Sequence, residues 1–233
     1  MRLVMLVPRR ADNGWRDELW RYCRRWWEAA GFEIIEGHHD EGGWFNRSVA
    51  LNRAARDAGD WDAAFLCDSD LICHPETVRK AAVRAVNEHR LVYPFNAYLY
   101  VNEFGTKDIV KGGRGFSRSY WKRWVQFRVS GQDGFALAVP VISRELWDRI
   151  GGMDERFTGW APEDHAMYIA ATTLGGPALR LDGGLWHLWH PTHDRPAEDS
   201  DVAAHNYRIF AQYQEAAGDV PAMRRLIATR YEQ

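Results

Sequence analysis

Two aspartates one residue apart follow directly on an apolar run, in the stretch AAFLCDSDLICHP at residues 63–75. Asp68 and Asp70 would stand where a buried strand ends, and carboxylates on such a loop can hold a hard divalent cation together with phosphate oxygens and water. An acidic loop tip, or an aspartate that caps the next helix, would show the same spacing. The pair therefore predicts a metal site only if other candidate ligands converge on it.

A second group of candidate ligands lies in the block GLWHLWHP at residues 184–191, where His187 and His190 are three residues apart. Neutral imidazole binds borderline divalent metals such as manganese. Histidines inside an aromatic block are also common as packed, hydrogen-bonded parts of a core, and nine histidines in 233 residues make chance pairs frequent. The block is compatible with both interpretations.

Two acidic residues follow Trp160 in the segment GWAPEDHAMYIAATTLGG. Pro162 suits the first position of a helix, so Glu163 and Asp164 would lie in the first turn, where the helix dipole keeps carboxylates ionised. An ionised carboxylate beside an aromatic ring could take a proton from a sugar hydroxyl bound on that ring. Acidic residues in a first turn are also routine helix stabilisers, worth from a few tenths to about 1 kcal/mol.

The elements that must position these residues alternate regularly. Apolar runs predict strands at 3–7, 32–36 and 63–67, the first closed by Pro8, and helical spacing predicts helices over about 15–30 and 45–59. This order predicts an α/β fold with a mostly parallel central sheet flanked by helices, because parallel neighbours need crossover connections. Ligands of such sheets bind beyond the carboxyl ends of the strands, where Asp68 and Asp70 stand.

The rest of the chain is predicted to complete one catalytic domain over residues 1–200, with a helical extension over 201–233 packed on it. The polar run KGGRGFSRS at 111–119 suits a solvated connection or a lid over the site. The predicted later elements are a helix over about 75–86, strands at 91–95, 97–101 and 134–142, a helix after Ser143, and a helical region over about 203–230 interrupted by Gly218 and Pro221.

Composition excludes some classes of partner. The chain has 30 Lys and Arg against 32 Asp and Glu, so its formal charge of -2 does not indicate a nucleic-acid-binding protein. Three cysteines without metal-type spacing indicate free thiols in a reducing compartment. The apolar run before Pro8 is too short for a signal peptide or a membrane span. We therefore expect a cytoplasmic protein without a membrane span.

Two segments carry a resemblance to a known family. The run FNRSVALNRAARDAGDWDAAFLCDSDLI resembles the beta-1,4-galactosyltransferase-like glycosyltransferases, which have Phe-Asn-Arg, a helix containing Leu-Asn, and Asp-Val-Asp before Leu-Ile. The segment ISRELWDRIGGMDERFTGWAPED is similar to the family's Leu-Ser, Asn-Gly-Phe turn and Gly-Trp-Gly-Gly-Glu-Asp. The opening VPRR matches a Pro-Phe-Arg type of start, so the resemblance covers roughly residues 3–191.

The resemblance implies the GT-A fold, which binds nucleotide sugars, and an inverting transfer of a hexose of the galactose, N-acetylgalactosamine or glucose type. The donor would be a UDP-sugar, the cofactor Mn²⁺ or Mg²⁺, and the acceptor a glycan, glycolipid or protein. Eukaryotic members carry a membrane anchor and disulfides that this chain lacks. It therefore resembles the soluble bacterial or phage-type relatives.

The resemblance also implies a role for each matching residue. Asp70 would bind the metal, and His187 and His190 have the spacing of the Met and His that complete the family's metal shell. Glu163 would bind acceptor hydroxyls beside Trp160, and Asp164 would be the general base. The nucleotide would be held by Pro8, Arg9, Arg10, Phe45, Asn46, Arg47 and Asp68.

Three departures from the family pattern leave the donor sugar and the acceptor open. The family's Gly-Gly before Glu-Asp is replaced by Ala161 and Pro162, and its next acidic residue by His165. Its two glycines near the donor sugar correspond to Leu137 and Ala138, which are bulkier and would reshape the sugar pocket.

Two other functions remain open from the sequence. A metal-dependent nucleotidyltransferase also uses paired aspartates, although VPRRADNGWRDE lacks the glycine-rich loop that binds a triphosphate. A non-catalytic carbohydrate-binding or nucleotide-sugar-binding protein would fit the twelve tryptophans. Such a module gives no reason for Asp68, Asp70 and the two histidines to converge.

Overall fold

The structure is a computed structural model that describes residues 1–112, 117–130, 138–191, 197 and 200–231. Its strands, in chain order, are β1 (Leu3–Arg9), β2 (Glu33–His38), β3 (Ala63–Leu66), β4 (Leu71–Cys73), β5 (Val92–Tyr93), β6 (Ala97–Val101), β7 (Val125–Ser130), β8 (Val141–Ser143), β9 (Leu179–Arg180) and β10 (Gly184–His187). Its helices are α1 (Trp15–Ala29), α2 (Arg47–Asp57), α3 (Pro75–Glu88), α4 (Glu103–Lys111), α5 (Arg118–Trp121), α6 (Arg144–Arg149), α7 (Glu163–Gly175), α8 (Asp201–Glu215) and α9 (Val220–Thr229), with a 3₁₀ turn at Lys122–Trp124.

The larger sheet of the described residues has the strand order β2-β1-β3-β8-β5-β9. Strands β2, β1 and β3 are parallel, as the alternation of strands and helices predicts, whereas β8 runs antiparallel to both β3 and β5. Strand β1 continues through Pro8 to Arg9 and does not end at Pro8. Its pairing with β3 stops at Leu6, so the missing N–H of Pro8 costs no ladder bond on that side.

A second sheet, which the sequence analysis did not predict, has the order β4-β10-β6-β7. Strand β10 runs antiparallel to β4, with His187 opposite Leu71, and parallel to β6. The chain leaves the larger sheet after Leu66 and enters the smaller one at Leu71. Asp68 and Asp70 therefore lie on the short segment that joins the two sheets.

Several predicted elements are shorter than their apolar runs. The strand predicted at 91–95 is reduced to Val92–Tyr93, and in the described part of the strand predicted at 134–142, residues 138–142, only Val141 and Ile142 lie in a strand. Residues 134–137 lie outside the described residues, as do residues 113–116 of the predicted polar connection. The part of that connection that is described includes the start of α5.

The core lies between the sheets and the helices on their faces. Residues 4–7 of β1 are fully buried, and Trp27 of α1 donates its indole N–H to the carbonyl of Leu71 at 3.1 Å. Helix α2 lies so close to β2 that a Cβ on Gly37 would be 1.8 Å from the carbonyl oxygen of Ala50. Only glycine fits at that position without moving the helix. Cys23, Cys67 and Cys73 are buried free thiols.

The C-terminal helices pack against α7 and the segment before it. The hydroxyl of Tyr213 on α8 donates to the Asp154 carboxylate at 2.9 Å, and the Arg230 guanidinium donates to the carbonyls of Ile150 and Gly151. Pro221 lies in the first turn of α9, so the interruption between the helices is the turn around Gly218 alone. Among the described residues, no helix combines the length and the apolar character that crossing a membrane requires.

Candidate functional site

Asp70, His187 and His190 converge at the junction of the two sheets. Their candidate ligand atoms all lie within 4.8 Å of one another. Nε2 of His190 is 3.0 Å from Oδ2 of Asp70, and Nε2 of His187 is 4.0 Å from the same oxygen. The antiparallel pairing of β10 with β4 produces this convergence, because it lays the histidine block over the end of the Asp70 segment.

The cluster fits a divalent cation. Asp70 is only 8% exposed, and its buried Oδ1 has no hydrogen-bond partner among the described residues. A buried carboxylate oxygen without a partner is costly unless a ligand occupies it. One carboxylate and two imidazoles suit a borderline metal such as manganese better than magnesium, which favours oxygen ligands.

The electrostatics keep Asp70 in its ligand form. Burial opposes its ionisation, but His187 and His190 outweigh burial and lower the pKa of Asp70 to about 2. Burial lowers the pKa of His187, which favours the neutral imidazole that binds metals. Burial opposes the charged form of His190 as well, but the hydrogen bond with Asp70 raises its pKa.

The second ring nitrogen of His190 has two neighbours. Nδ1 lies 2.8 Å from Nη2 of Arg16 and 2.9 Å from the carbonyl oxygen of Pro191. The guanidinium of Arg16 can only donate, so that contact is a hydrogen bond when Nδ1 carries no proton. In the other tautomer Nδ1 donates to Pro191, which leaves Nε2 free to bind a metal, the usual arrangement around ligating histidines. Arg16 was not identified from the sequence, although it follows β1 closely and contributes a positive charge beside the cluster.

Asp68 lies outside the cluster and pairs with Arg47. Nε and Nη2 of Arg47 donate to Oδ1 of Asp68 at 3.0 and 2.9 Å, and Nη2 also donates to the carbonyl of Ala138 at 2.9 Å. Nη1 of Arg47 is buried and has no hydrogen-bond partner among the described residues. The two aspartates of the Asp-x-Asp pattern thus face different partners.

The Phe45–Asn46 pair positions the start of α2. The side-chain oxygen of Asn46 accepts from Val49 N at 3.0 Å, and its amide donates to the carbonyl of Glu155 at 2.8 Å. Asn46 is 8% exposed, so its side chain is used as a helix cap that holds Arg47 in place. Phe45 contacts the ring of His39, with ring centroids 6.3 Å apart.

The N-terminal arginines have different surroundings. Arg9 is paired with Asp17 at 2.7 Å and with Glu36 at 3.2 Å, so two carboxylates neutralise its charge. Arg10 is exposed and donates to the carbonyl of Gly43 at 2.9 Å. Pro8 is buried within β1. A cleft of about 410 Å³ lies beside Arg9.

A larger cleft lies elsewhere on the surface. Its volume is about 740 Å³, and its lining includes Asn52, Trp147 and Glu155. None of the candidate residues from the sequence analysis lines it. The candidate chemistry therefore lies outside this cleft.

The acidic pair occupies the first turn of α7, as predicted, but its two carboxylates differ in charge. Helix α7 begins at Glu163, so Pro162 is the residue before the first turn. Burial, reinforced by the charge of Asp164, overcomes the opposing charge of Arg47 and raises the pKa of Glu163 to about 8. Burial also opposes ionisation of Asp164, but the hydrogen bond from His165 lowers its pKa. The helix dipole therefore does not keep Glu163 ionised, contrary to the sequence-based expectation.

His165 supports Asp164 from the exposed side. Its backbone N–H donates to Oδ1 of Asp164 at 2.8 Å, and ring Nδ1 lies 3.0 Å from the same oxygen. Asp164 in turn raises the pKa of His165. In the sequence His165 stands out only as a departure from the family pattern, although its position next to the acidic pair was a usable signal.

Trp160 presents an exposed ring beside the acidic pair. Its side chain is 67% exposed, and the loop that carries it is held at two points. Gly159 N donates to the carbonyl of Phe45 at 3.2 Å, and Thr158 exchanges hydrogen bonds of 3.1 and 2.8 Å with the side chain of Asn206. An exposed indole on a fixed loop suits stacking against a sugar ring.

Arg47 connects the two halves of the site electrostatically. Its charge acts on Asp68, Glu163 and Asp164, and the charge of Asp68 acts in turn on His187. The structure therefore brings together the predicted metal ligands on one side and the predicted acid–base pair on the other. Of the two residues predicted near the donor sugar, Ala138 accepts from Arg47, and Leu137 lies outside the described residues.

Comparison with solved structures identifies the fold. The catalytic domain of Drosophila beta1,4-galactosyltransferase 7, in complex with xylobiose, is 16% identical and aligns over 88% of this chain and 79% of its own at a TM-score of 0.52. S. aureus TarS is 13% identical and aligns over 100% of this chain and 43% of its own at a TM-score of 0.56. Residues 1–349 of TarS in complex with UDP-GlcNAc align at 0.52, with 14% identity over 100% of this chain and 72% of that one.

The chain therefore has the GT-A glycosyltransferase fold, which confirms the fold class predicted from the sequence. A mutant of the Drosophila enzyme has been solved with manganese, UDP-Gal and xylobiose, and it aligns at a TM-score of 0.43. No protein-family model matches the chain, and the search of curated proteins finds no match.

Proposed function

We propose that the protein is a metal-dependent glycosyltransferase that moves a hexose from a UDP-sugar to an acceptor hydroxyl with inversion at the anomeric carbon. The observation that carries the proposal is the convergence of Asp70, His187 and His190 next to a second group that contains Arg47, Glu163 and Asp164. A cation can stabilise a diphosphate leaving group and a carboxylate can deprotonate an acceptor hydroxyl, so the two groups together fit sugar transfer from a nucleotide. A binding module needs neither.

The metal would be held by Asp70, His187 and His190, and it would neutralise the negative charge of the diphosphate leaving group when bound. The donor set favours manganese over magnesium. Arg16 lies against His190 and adds a fixed positive charge on the same side. Arg47, fixed by Asp68, would contact the donor between its diphosphate and the acceptor.

Asp164 would be the general base. Its ionised carboxylate takes the proton of the acceptor hydroxyl, and the hydroxyl then attacks the anomeric carbon on the face opposite to the diphosphate. Oδ1 of Asp164 is already held by His165, so Oδ2 is the oxygen available for that proton. A neutral Glu163 can donate a hydrogen bond to a neighbouring acceptor oxygen while Asp164 remains charged. This division of two adjacent carboxylates into acid and base follows from their separated pKa values.

Trp160 would provide the surface on which the acceptor sugar stacks. A glycan, a glycolipid or a glycosylated protein could supply such an acceptor. The galactose, N-acetylgalactosamine and glucose types of donor remain the candidates, and a panel of UDP-hexoses distinguishes them. Slow hydrolysis of one donor in the presence of Mn²⁺ would identify the sugar.

Calorimetric titration with UDP, with and without Mn²⁺, tests the assignment of the two groups. We expect Mn²⁺-dependent binding of UDP, its loss in Asp70→Ala, and its retention in Asp164→Asn together with a fall in turnover of about 10²-fold or more. Asp57→Asn changes an exposed carboxylate at the end of α2 and serves as the matched control. Equal loss of UDP binding in the Asp70 and Asp164 variants would contradict the proposed roles.

The non-catalytic alternative is tested by the same variants. A nucleotide-sugar-binding module would bind UDP-hexoses without hydrolysing any of them. Its affinity would also be unchanged in Asp164→Asn. Mn²⁺-dependent hydrolysis that Asp164→Asn abolishes excludes that alternative.

A further inference from the structure

The charge of the chain is unevenly distributed. Residues 103–130 contain seven Lys and Arg and two acidic residues, a net charge of +5, whereas the rest of the chain carries -7. The same stretch contains six aromatic residues. A cationic, aromatic segment in an otherwise acidic protein indicates a local interaction surface for an anionic partner.

Helix α4 presents one face of this stretch to solvent. Phe104, Lys107 and Lys111 recur at helical spacing and are exposed, and Phe104 is 70% exposed. The opposite face, which includes Thr106 and Ile109, is buried. Helix α4 is therefore fixed to the protein by its inner face and leaves an apolar and cationic outer face uncovered among the described residues.

The 3₁₀ turn extends this face. Trp124 packs so closely on α4 that a Cβ on Gly105 would be 2.2 Å from Cβ of Trp124, and the rings of Phe104 and Trp124 are 5.2 Å apart. Lys122 and Arg123, the other residues of the turn, are exposed. The turn thus places two further cations beside Phe104.

Strand β7 continues the surface at the edge of the smaller sheet, where β6 is its partner. Arg128 is exposed, and the side chain of its neighbour Val129 leaves the opposite face of the strand, opposite Tyr98. We name the outer face of α4, the 3₁₀ turn and the exposed Arg128 of this edge the α4–β7 surface; its exposed members are Phe104, Lys107, Lys111, Lys122, Arg123 and Arg128.

Most of the cations on the α4–β7 surface have no carboxylate partner. Glu103 is paired with Lys107, and Asp108 accepts from the hydroxyl of Tyr120. Among the described residues no ion pair involves Lys111, Lys122, Arg123 or Arg128. These four charges are available to an external anion.

We propose that the α4–β7 surface docks on an anionic lipid bilayer. Lipid phosphates complement its unpaired cations, and Phe104 would insert between headgroups, where an aromatic side chain leaves water. Charge alone would suit any polyanion, but the exposed ring of Phe104 among the cations favours a bilayer. This inference concerns attachment and holds whether or not the proposed sugar transfer is correct.

Vesicle flotation tests the proposal directly. The purified protein is mixed with vesicles of phosphatidylcholine alone or of phosphatidylcholine with about one third phosphatidylglycerol, at about 0.1 M and about 0.5 M salt. We expect binding to the anionic vesicles only, with a loss of at least about fivefold at the higher salt concentration. Equal binding to both vesicle types, or none to either, would overturn the proposal.

Two variants assign the binding to this surface. The double variant Lys111→Glu with Arg123→Glu should lose at least about fivefold in the bound fraction. The control Arg25→Glu with Lys80→Glu makes the same charge change at exposed positions on α1 and α3 and should bind like the unchanged protein. Equal loss in both double variants would show a non-specific charge effect and would refute the assignment.

Phe104→Ser separates a bilayer from a soluble polyanion, because it leaves the charge unchanged. We expect it to weaken vesicle binding and to leave retention on a heparin column unaltered. Unchanged vesicle binding in this variant would refute insertion into the bilayer and would assign the surface to a soluble anionic polymer. Thermal unfolding of each variant confirms that the fold is intact.

Discussion

Replacing Glu163 by glutamine should change how the stability of the protein depends on pH. Glu163 lies in the first turn of α7, and burial together with the charge of Asp164 raises its pKa to about 8, from an ordinary value near 4.5. The folded protein therefore holds a proton on this residue between about pH 4.5 and pH 8, whereas the unfolded chain has released it. Glutamine has the same shape and carries no proton to release.

The size of the effect follows from proton linkage. Where the folded state binds one proton more than the unfolded state, the free energy of unfolding falls by about 1.4 kcal/mol for each unit of pH. For a pKa of about 8, the fall between pH 6 and pH 8 is about 2 kcal/mol and then levels off. The contribution of Glu163 to the free energy of unfolding is fully present below the pKa of Glu163 in the unfolded chain. It is lost as the pH rises through the pKa of Glu163 in the folded protein.

Urea denaturation at pH 6, 7, 8 and 9, without metal or nucleotide, measures this difference. Between pH 6 and pH 8, the free energy of unfolding of Glu163→Gln should rise by about 2 kcal/mol relative to that of the unchanged protein. The titration of all other groups is common to both proteins and cancels in this difference. Glu18→Gln, which changes an exposed glutamate on α1, is the control. Its plot of the free energy of unfolding against pH should be parallel to that of the unchanged protein. Parallel curves for Glu163→Gln as well would refute the raised pKa and the neutral role assigned to this residue.

Three further substitutions test other parts of the structure. Gly37→Ala should destabilise the protein by about 3 kcal/mol or more in urea denaturation, because its Cβ would collide with the carbonyl of Ala50; a change below about 1 kcal/mol would contradict this packing. Tyr213→Phe removes the hydrogen bond to buried Asp154 and should cost about 1–3 kcal/mol by the same measurement, whereas an unchanged midpoint would show that the bond contributes nothing. His165→Ala should raise the pKa of the neighbouring Asp164, measured by the carbon chemical shift of its carboxylate across pH, and an unshifted titration would exclude the supporting role.

The first half of the fold could be predicted from the sequence because its signals are local. The strands β1, β2 and β3 are continuous apolar runs, and the apolar residues of α1 and α2 recur at helical spacing. The order of these elements and the parallel direction of the strands could therefore be predicted from short segments. The smaller sheet could not be predicted in this way. Its strand β4 is three residues long and pairs with a partner more than one hundred residues away. Such pairings depend on tertiary packing, which local patterns do not contain.

The candidate site shows the same division. The family resemblance implied that Asp70, His187 and His190 form a ligand set, and the structure brings their candidate ligand atoms within 4.8 Å of one another. The sequence did not predict the difference between Glu163 and Asp164, because their charges depend on burial and on Arg47, which is distant in sequence.

Two of the residues predicted to hold the nucleotide illustrate the limit of assigning roles by motif. Asn46 uses its side chain to cap α2, and Arg9 is paired with two carboxylates. Both residues have the residue type that the family pattern has at their position. The folded chain determines which groups their polar atoms contact, and the spacing of residues in the sequence does not show these contacts.

The Asp-x-Asp spacing sets the distance between the two halves of the site. Asp68 is bound to Arg47 and Asp70 faces the two histidines, so only one of the two aspartates meets the candidate cation. Two peptide units separate their Cα atoms by at most about 7 Å, and this short span fixes the distance between the two halves of the site. An insertion or deletion between the aspartates would change this distance, whereas a substitution of Ser69 would not.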